Sequence, residues 1–189
     1  MRIVFLTLLG TFLLFSMIGL ALPERPQIER SIEIEASMSE IHEALTELRT
    51  WSTWHPMFAD PAESGLHVEY GELTRGVGGQ MKLRFSNQFG VLFTIVVSDP
   101  ESGVEIELHS GSQEVDLWRG EGALSLESIR FAPVLGGTEV TWVQTGTEAG
   151  SLLGRTVSAL VMRGRVGRQI ETALDGLAEI VTQDESSPN

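Results

Sequence analysis

The side chains able to do acid-base or metal chemistry are few and dispersed. Four histidines, His42, His55, His67 and His109, are the groups whose ordinary titration lies nearest neutrality. None stands in a His-x-x-x-His pair or beside an acid at ligand spacing, so the sequence assigns no metal. Cysteine is absent, which excludes a disulfide framework, thiolate metal sites and a Cys-linked lipid anchor, and fits either side of a membrane. No Gly-x-Ser-x-Gly elbow marks a hydrolase, and no phosphate-binding glycine loop precedes a lysine. Gly76-Val77-Gly78-Gly79 reads as a bulge or tight loop between strands, because no helix start follows it. His42, between Glu40 and Glu43, is expected to be exposed. Neither a catalytic residue nor a cofactor is assigned.

Charge is more informative. The chain of 189 residues carries 26 acidic and 13 basic groups, and residues 23–189 hold all the acids. A body this acidic repels phosphate backbones, so nucleic acid is excluded as a partner. Against that background residues 149–170 contain four arginines and no acid.

Elements must position these groups. Ile28, Ile32 and Ile34 alternate with Glu29, Ser31, Glu33 and Glu35, the period of a strand with one buried face, which Arg30 interrupts. Ser37 and Glu40 have capping-box spacing, and Ile41, Ala44, Leu45 and Leu48 follow at helical intervals. Thr50 can cap a second short turn that places Trp51 and Trp54 on one face before Pro56 interrupts it. Strand-like alternations then succeed one another: Leu66, Val68, Tyr70; Met81, Leu83, Phe85; Val91, Phe93, Ile95, Val97; Val104, Ile106, Leu108; one somewhere within Val115 to Phe131; and Val140 to Thr145. With the first strand these make seven. Ser151 to Thr182 is the longest helical pattern, its apolar stripe running from Leu152 through Ala159, Met162, Val166, Ile170, Ala173 and Leu177 to Ile180. Arg155 falls inside that stripe and Arg163 at its edge, where a charge needs water, a partner or an anionic ligand group. Gly164 and Gly167 within the helix predict a bend or a close approach. A helix this long needs the sheet to lie on, which predicts an α+β fold: a curved antiparallel sheet wrapped around a C-terminal helix.

Residues Ile3 to Leu22 form an apolar run long enough to cross a bilayer. A retained anchor is the favoured reading; a signal peptide cleaved before Leu22, after Gly19 and Ala21, is the alternative. Either way the domain is expected on the exported side. The organisation expected is therefore a membrane segment at 1–22, a linker at 23–27, a domain at 28–182 and a disordered tail at 183–189. Nothing in the sequence sets the oligomeric state.

The order of one strand, two short helices, six strands and a closing helix resembles the START-like superfamily, also called SRPBCC or Bet v 1-like, with its helix-grip fold. More closely, the chain is similar to the bacterial polyketide cyclase/dehydrase and lipid-transport branch. The resemblance is carried by ERSIEIEAS at 29–37, LRTWSTWHPM at 48–57, YGELTRGVGGQM at 70–81, GGTEVTW at 136–142 and GRQIETALDGLAEI at 167–180. The leader ending in Leu22-Pro23 also resembles members with an N-terminal membrane span. One departure is Met57, where the branch often has a third aromatic after Trp-x-x-Trp-x-Pro.

The resemblance implies a tunnel between sheet and helix for a hydrophobic small molecule or lipid. Trp51, Trp54, Phe85, Phe93, Trp142, Arg155, Met162, Arg163 and Val166 are the expected lining, with Trp118 only at its margin. The plainer reading makes Trp51 and Trp54 core plugs and the two arginines snorkelling or paired charges. His55, at the expected mouth, would titrate near neutrality or be a plain loop histidine. Three functions are open: membrane-tethered binding or transport of a hydrophobic molecule; a cyclase/dehydrase-like enzyme; and a co-chaperone-like interaction domain without a ligand.

Overall fold

A computed structural model describes residues 2–59 and 65–185. It opens with the apolar helix α1 (Arg2–Ala21), followed by strand β1 (Gln27–Ile34), helix α2 (Met38–Thr46) and the short helix α3 (Trp51–Trp54). Six more strands follow: β2 (His67–Tyr70), β3 (Gln80–Arg84), β4 (Phe89–Asp99), β5 (Gly103–Ser112), β6 (Ala123–Val134) and β7 (Gly137–Thr145). The closing helix comes in three pieces: α4 (Leu152–Val161), a π-turn (Met162–Val166) and α5 (Gly167–Glu185). The disordered tail expected at 183–189 lies largely outside the described residues; the helix itself continues to Glu185.

All seven strands form one open antiparallel sheet in the order β1-β7-β6-β5-β4-β3-β2, so β1 and β2 are its edges. This is the expected α+β arrangement, with the closing helix along the concave face. Helix α2 starts as its sequence dictates: Ser37 Oγ accepts from Glu40 N, and the Glu40 carboxylate accepts from Ser37 N at 2.9 Å. The Thr50 hydroxyl does not cap α3, however. It donates back to Glu47 O and Ala44 O, closing the preceding turn.

Two departures come from the sheet's geometry. A bulge between Ile95 and Val97 breaks the period-two alternation, so Val97 leaves the inward set expected for it and faces solvent. Leu92, on the opposite face from Val91 and Phe93, is nonetheless buried, along with Leu117 of a 3-10 turn (Leu117–Arg119). That turn folds over the convex face, where Gly90 and Gly111 leave room for Leu117 and Val115. Lys82 is buried there too, with Nζ 2.7 Å from Glu69 Oε2 and under the ring of Trp118. Trp118 therefore packs outside the sheet and not in the helix–sheet interior. The Gly76–Gly79 segment is a tight loop, as expected: Gly76 and Gly78 have φ of 64° and 84°, and their N–H groups donate to Thr46 O and Ile95 O.

Candidate ligand-binding site

The concave face carries ladder rows of inward side chains. Ile106, Glu127, Gln144 and Ile28 form one row across β5, β6, β7 and β1, and Val104, Ile129, Trp142 and Arg30 the next. Arg30, which broke the apolar pattern of β1, reaches across to α5 and pairs with Glu171. Its guanidinium lies against Gly167, where a Cβ would come within 2.7 Å of it. Gly164 falls in the π-turn, where the regular α-helical ladder is interrupted, and Gly167 makes the close approach that was one of the two outcomes expected there.

Trp51 anchors the interior. Its indole Nε1 donates to Leu45 O at 3.0 Å, and its ring contacts those of Trp54, His55 and Phe93 at centroid distances of 5.0–5.5 Å. His55 lies flat against Trp51 and 6.2 Å from Trp142. Its Nδ1 accepts from Met57 N, which leaves the proton on Nε2. Burial drives its pKa down from 6.5 to about 3, so the expectation of titration near neutrality is overturned: this is a buried, neutral ring. His42 is also not the exposed residue expected, since it is half-buried with Nε2 2.9 Å from Ser98 Oγ.

Of the expected lining residues, the structure brings Trp51, Trp54, Phe93, Trp142 and Met162 into the core, with Phe85 and Val166 half-buried at its margin. Arg155 is turned aside. It pairs with Glu24 of the segment between α1 and β1, whose backbone carbonyl also accepts from Ala149 N. Arg163 is exposed. The space expected to be a tunnel is packed with side chains: Trp51, Met81, Leu83, Phe93, Ile106 and Leu177 are all essentially inaccessible. Open grooves lie at the surface, one of about 330 Å³ between the α3 region and α5 and another of about 340 Å³ on the convex face.

One inward residue escaped the sequence reading. Glu127 is 6% exposed on β6, in phase with Ile129 and Phe131, and burial raises its carboxyl from 4.5 to about 8. It is thus largely a neutral acid at pH 7. Trp142 Nε1 faces it and opposes that rise, without a well-formed hydrogen bond; Glu127 Oε2, Trp142 Nε1 and Trp54 Nε1 all lack a protein partner. The signal lay in ALSLESIRF at 123–131, where Leu124 and Leu126 alternate on one phase and Ile129 and Phe131 on the other. Among the described residues no three His, Asp or Glu side chains group as metal ligands.

Solved structures of low identity share the fold. Protein CV1439 from Chromobacterium violaceum has 17% identity and a TM-score of 0.57, covering 82% of this chain and 96% of its own. A solution structure from Staphylococcus epidermidis has 15% identity and a TM-score of 0.58, covering 86% and 93%. Mll3558 from Rhizobium loti has 17% identity and a TM-score of 0.56, covering 80% and 96%. No curated protein matches the chain. The sequence family described as polyketide cyclase/dehydrase and lipid transport matches residues 25–182, from the foot of β1 to the last turns of α5, and the chain belongs to that family.

Proposed function

We propose that the domain binds a hydrophobic small molecule or lipid between the sheet and the closing helix, and that α1 holds it at a membrane on the exported side. The observation that carries the binding is a pair of buried polar groups in an apolar interior, Glu127 Oε2 and Trp142 Nε1, which face each other without a well-formed hydrogen bond; Trp54 Nε1 is also buried without a partner. Each such atom costs about 1–3 kcal/mol, which a guest bearing a donor or acceptor would recover. The π-turn supports entry by movement of the helix, because a helix hinges where its i→i−4 ladder is broken. Helix α1 is long and apolar enough to span a bilayer by length and composition. Arg155 and Glu24 would tie that anchor to the start of the closing helix.

Native mass spectrometry of the full chain released from detergent tests the reading. A co-purifying hydrophobic mass, lost when Glu127 and Trp142 are both replaced by leucine, is expected. No bound mass from any membrane extract, with no stabilisation by added lipid, would remove the binding role.

A second reading is favoured by Glu127 itself. A carboxyl held neutral at pH 7 is a proton donor, and in a family described as cyclase and dehydrase it would act as a general acid on a bound carbonyl or hydroxyl group. Under that reading Glu127→Gln abolishes turnover of a hydrophobic substrate but leaves its binding. Under simple carriage no chemical conversion accompanies binding.

A further inference from the structure

The interior between sheet and closing helix has donors to spare. The side-chain atoms buried there without a partner, among the described residues, are the indole N–H groups of Trp54 and Trp142 and the Glu127 Oε2. An indole N–H only donates, and a carboxyl that keeps its proton donates as well. Glu127 keeps it because nothing positive meets it. It forms no ion pair among the described residues, and Arg30, the guanidinium in the adjoining row, is held by Glu171. The carboxyl's rise to about 8 has that cause.

The two groups are placed to share one oxygen. Register sets Glu127 opposite Gln144 and Ile129 opposite Trp142, so Glu127 and Trp142 are diagonal neighbours on the inward face of adjoining strands. They face each other without closing a good bond between them. A carbonyl oxygen has two lone pairs, and it could accept from both. The closing helix is irregular nearby. Ile28 ends the row of Glu127, and a Cβ on Gly167 would lie 3.6 Å from its Cγ1. Met162 Sδ would lie 3.5 Å from a Cβ on Gly146, just beyond β7. The π-turn therefore reaches the β1–β7 end of that row.

The cations that could hold an ionised head are all engaged or placed elsewhere. Arg30 pairs with Glu171, Arg155 with Glu24 and Lys82 with Glu69 on the convex face, while Arg163 is exposed. A carboxylate, phosphate or sulfate drawn into this interior would be a buried charge without a counter-ion. An ammonium offers no acceptor, so it would set donor against donor at Trp142 Nε1.

We infer that the guest carries an uncharged carbonyl, a ketone or ester oxygen that accepts from Trp142 Nε1 and from the Glu127 carboxyl, and that ionic lipids are rejected. The inference deepens the proposed function and rests on its reading of the interior as the binding site. Glu127 and Trp142 then set specificity, because a guest lacking the oxygen leaves both donors unpaired.

The full chain in a non-ionic detergent, below neutral pH, is offered equal amounts of methyl palmitate, hexadecane, hexadecyl sulfate and hexadecyltrimethylammonium. Native mass spectrometry then counts which is retained. Methyl palmitate should exceed hexadecane about tenfold, the worth of one to two hydrogen bonds. Neither ionic probe should exceed hexadecane. Trp142→Phe keeps a ring but removes the donor, and should cut the ester preference about fivefold. Glu127→Gln, whose amide still donates, should keep most of the preference, and Glu127→Leu should lose it. Equal retention of ester and alkane, or a preference for either ionic probe, overturns the inference and leaves the binding reading standing. An unchanged ester preference in both Trp142→Phe and Glu127→Leu overturns it too. Retention of none of the four removes the binding reading and the inference together. The preference of the parent chain is decisive by itself, so a variant that fails to fold does not blunt the test.

Discussion

Replacing Glu127 by glutamine should change how stability responds to pH above the ordinary carboxylate range. In the folded chain the carboxyl keeps its proton up to about pH 8, whereas in the unfolded chain it loses it above 4.5. Folding then requires proton uptake across that window, so stability falls as pH rises through it. At about 1.4 kcal/mol per pH unit, the loss between pH 4.5 and 7 is about 3 kcal/mol, and by pH 8 about 4 kcal/mol. His55 works in the opposite sense. It stays neutral in the fold down to about pH 3 but takes up a proton below 6.5 when unfolded, so stability falls as pH drops from 6.5 towards 3. Between 4.5 and 6.5 the two slopes oppose each other, and these groups together predict a flat maximum there with losses on both sides. Glutamine keeps the shape and the amide can face Trp142, but it does not ionise. Urea denaturation of the full chain and of Glu127→Gln in the same detergent, followed by tryptophan emission, isolates the effect because all other titrations cancel in the difference. The variant should gain about 3 kcal/mol relative to the parent on going from pH 4.5 to 7. Parallel pH profiles for the two proteins would refute the reasoning, since they would mean that Glu127 reaches water in the folded state.

Other substitutions probe the helix's seat. Gly176 packs so closely on α3 that a Cβ would lie 2.4 Å from Trp54 O, so Gly176→Ala should lower stability by about 1–3 kcal/mol in the same urea assay. Gly164→Ala, in the π-turn with nothing within 4 Å of the added methyl, should instead be neutral or stabilising by up to about 1 kcal/mol. Ser37→Ala removes the reciprocal cap of α2 and should cost about 1 kcal/mol. In Gly19→Val the added side chain meets the Leu152 carbonyl, so α1 should part from α4; faster amide hydrogen exchange in residues 152–156 would report it.

Legibility followed the periodicity. Strand β1, the capped α2 and the paired tryptophans could be read because each repeats cleanly and its partners are close in sequence. The interruption of the helix near Gly164 and Gly167 was legible from helix propensity alone. Strand β6 was not, since its outward Leu124 and Leu126 mimic an inward set and hide Glu127 between two competing phases. Likewise, the second buried face of β4 depends on a turn folded over it from after β5, and the bulge that expels Val97 leaves no mark in composition. Arg155 and Arg30 looked alike as cations breaking apolar patterns, and only tertiary structure supplies their partners, Glu24 and Glu171. The state of His55 depends in the same way on burial under α3 and α5.

The sheet does not close on itself, and its two rims differ in how they discourage stray pairing. The β2 rim offers only four residues of backbone, too short a template for a stable foreign strand. The β1 rim is eight residues long, but Glu29 and Glu33 flank Ser31 on one face, so an antiparallel copy docked there about its centre would set carboxylate against carboxylate at both positions. Fibril-like growth from either border is thereby disfavoured.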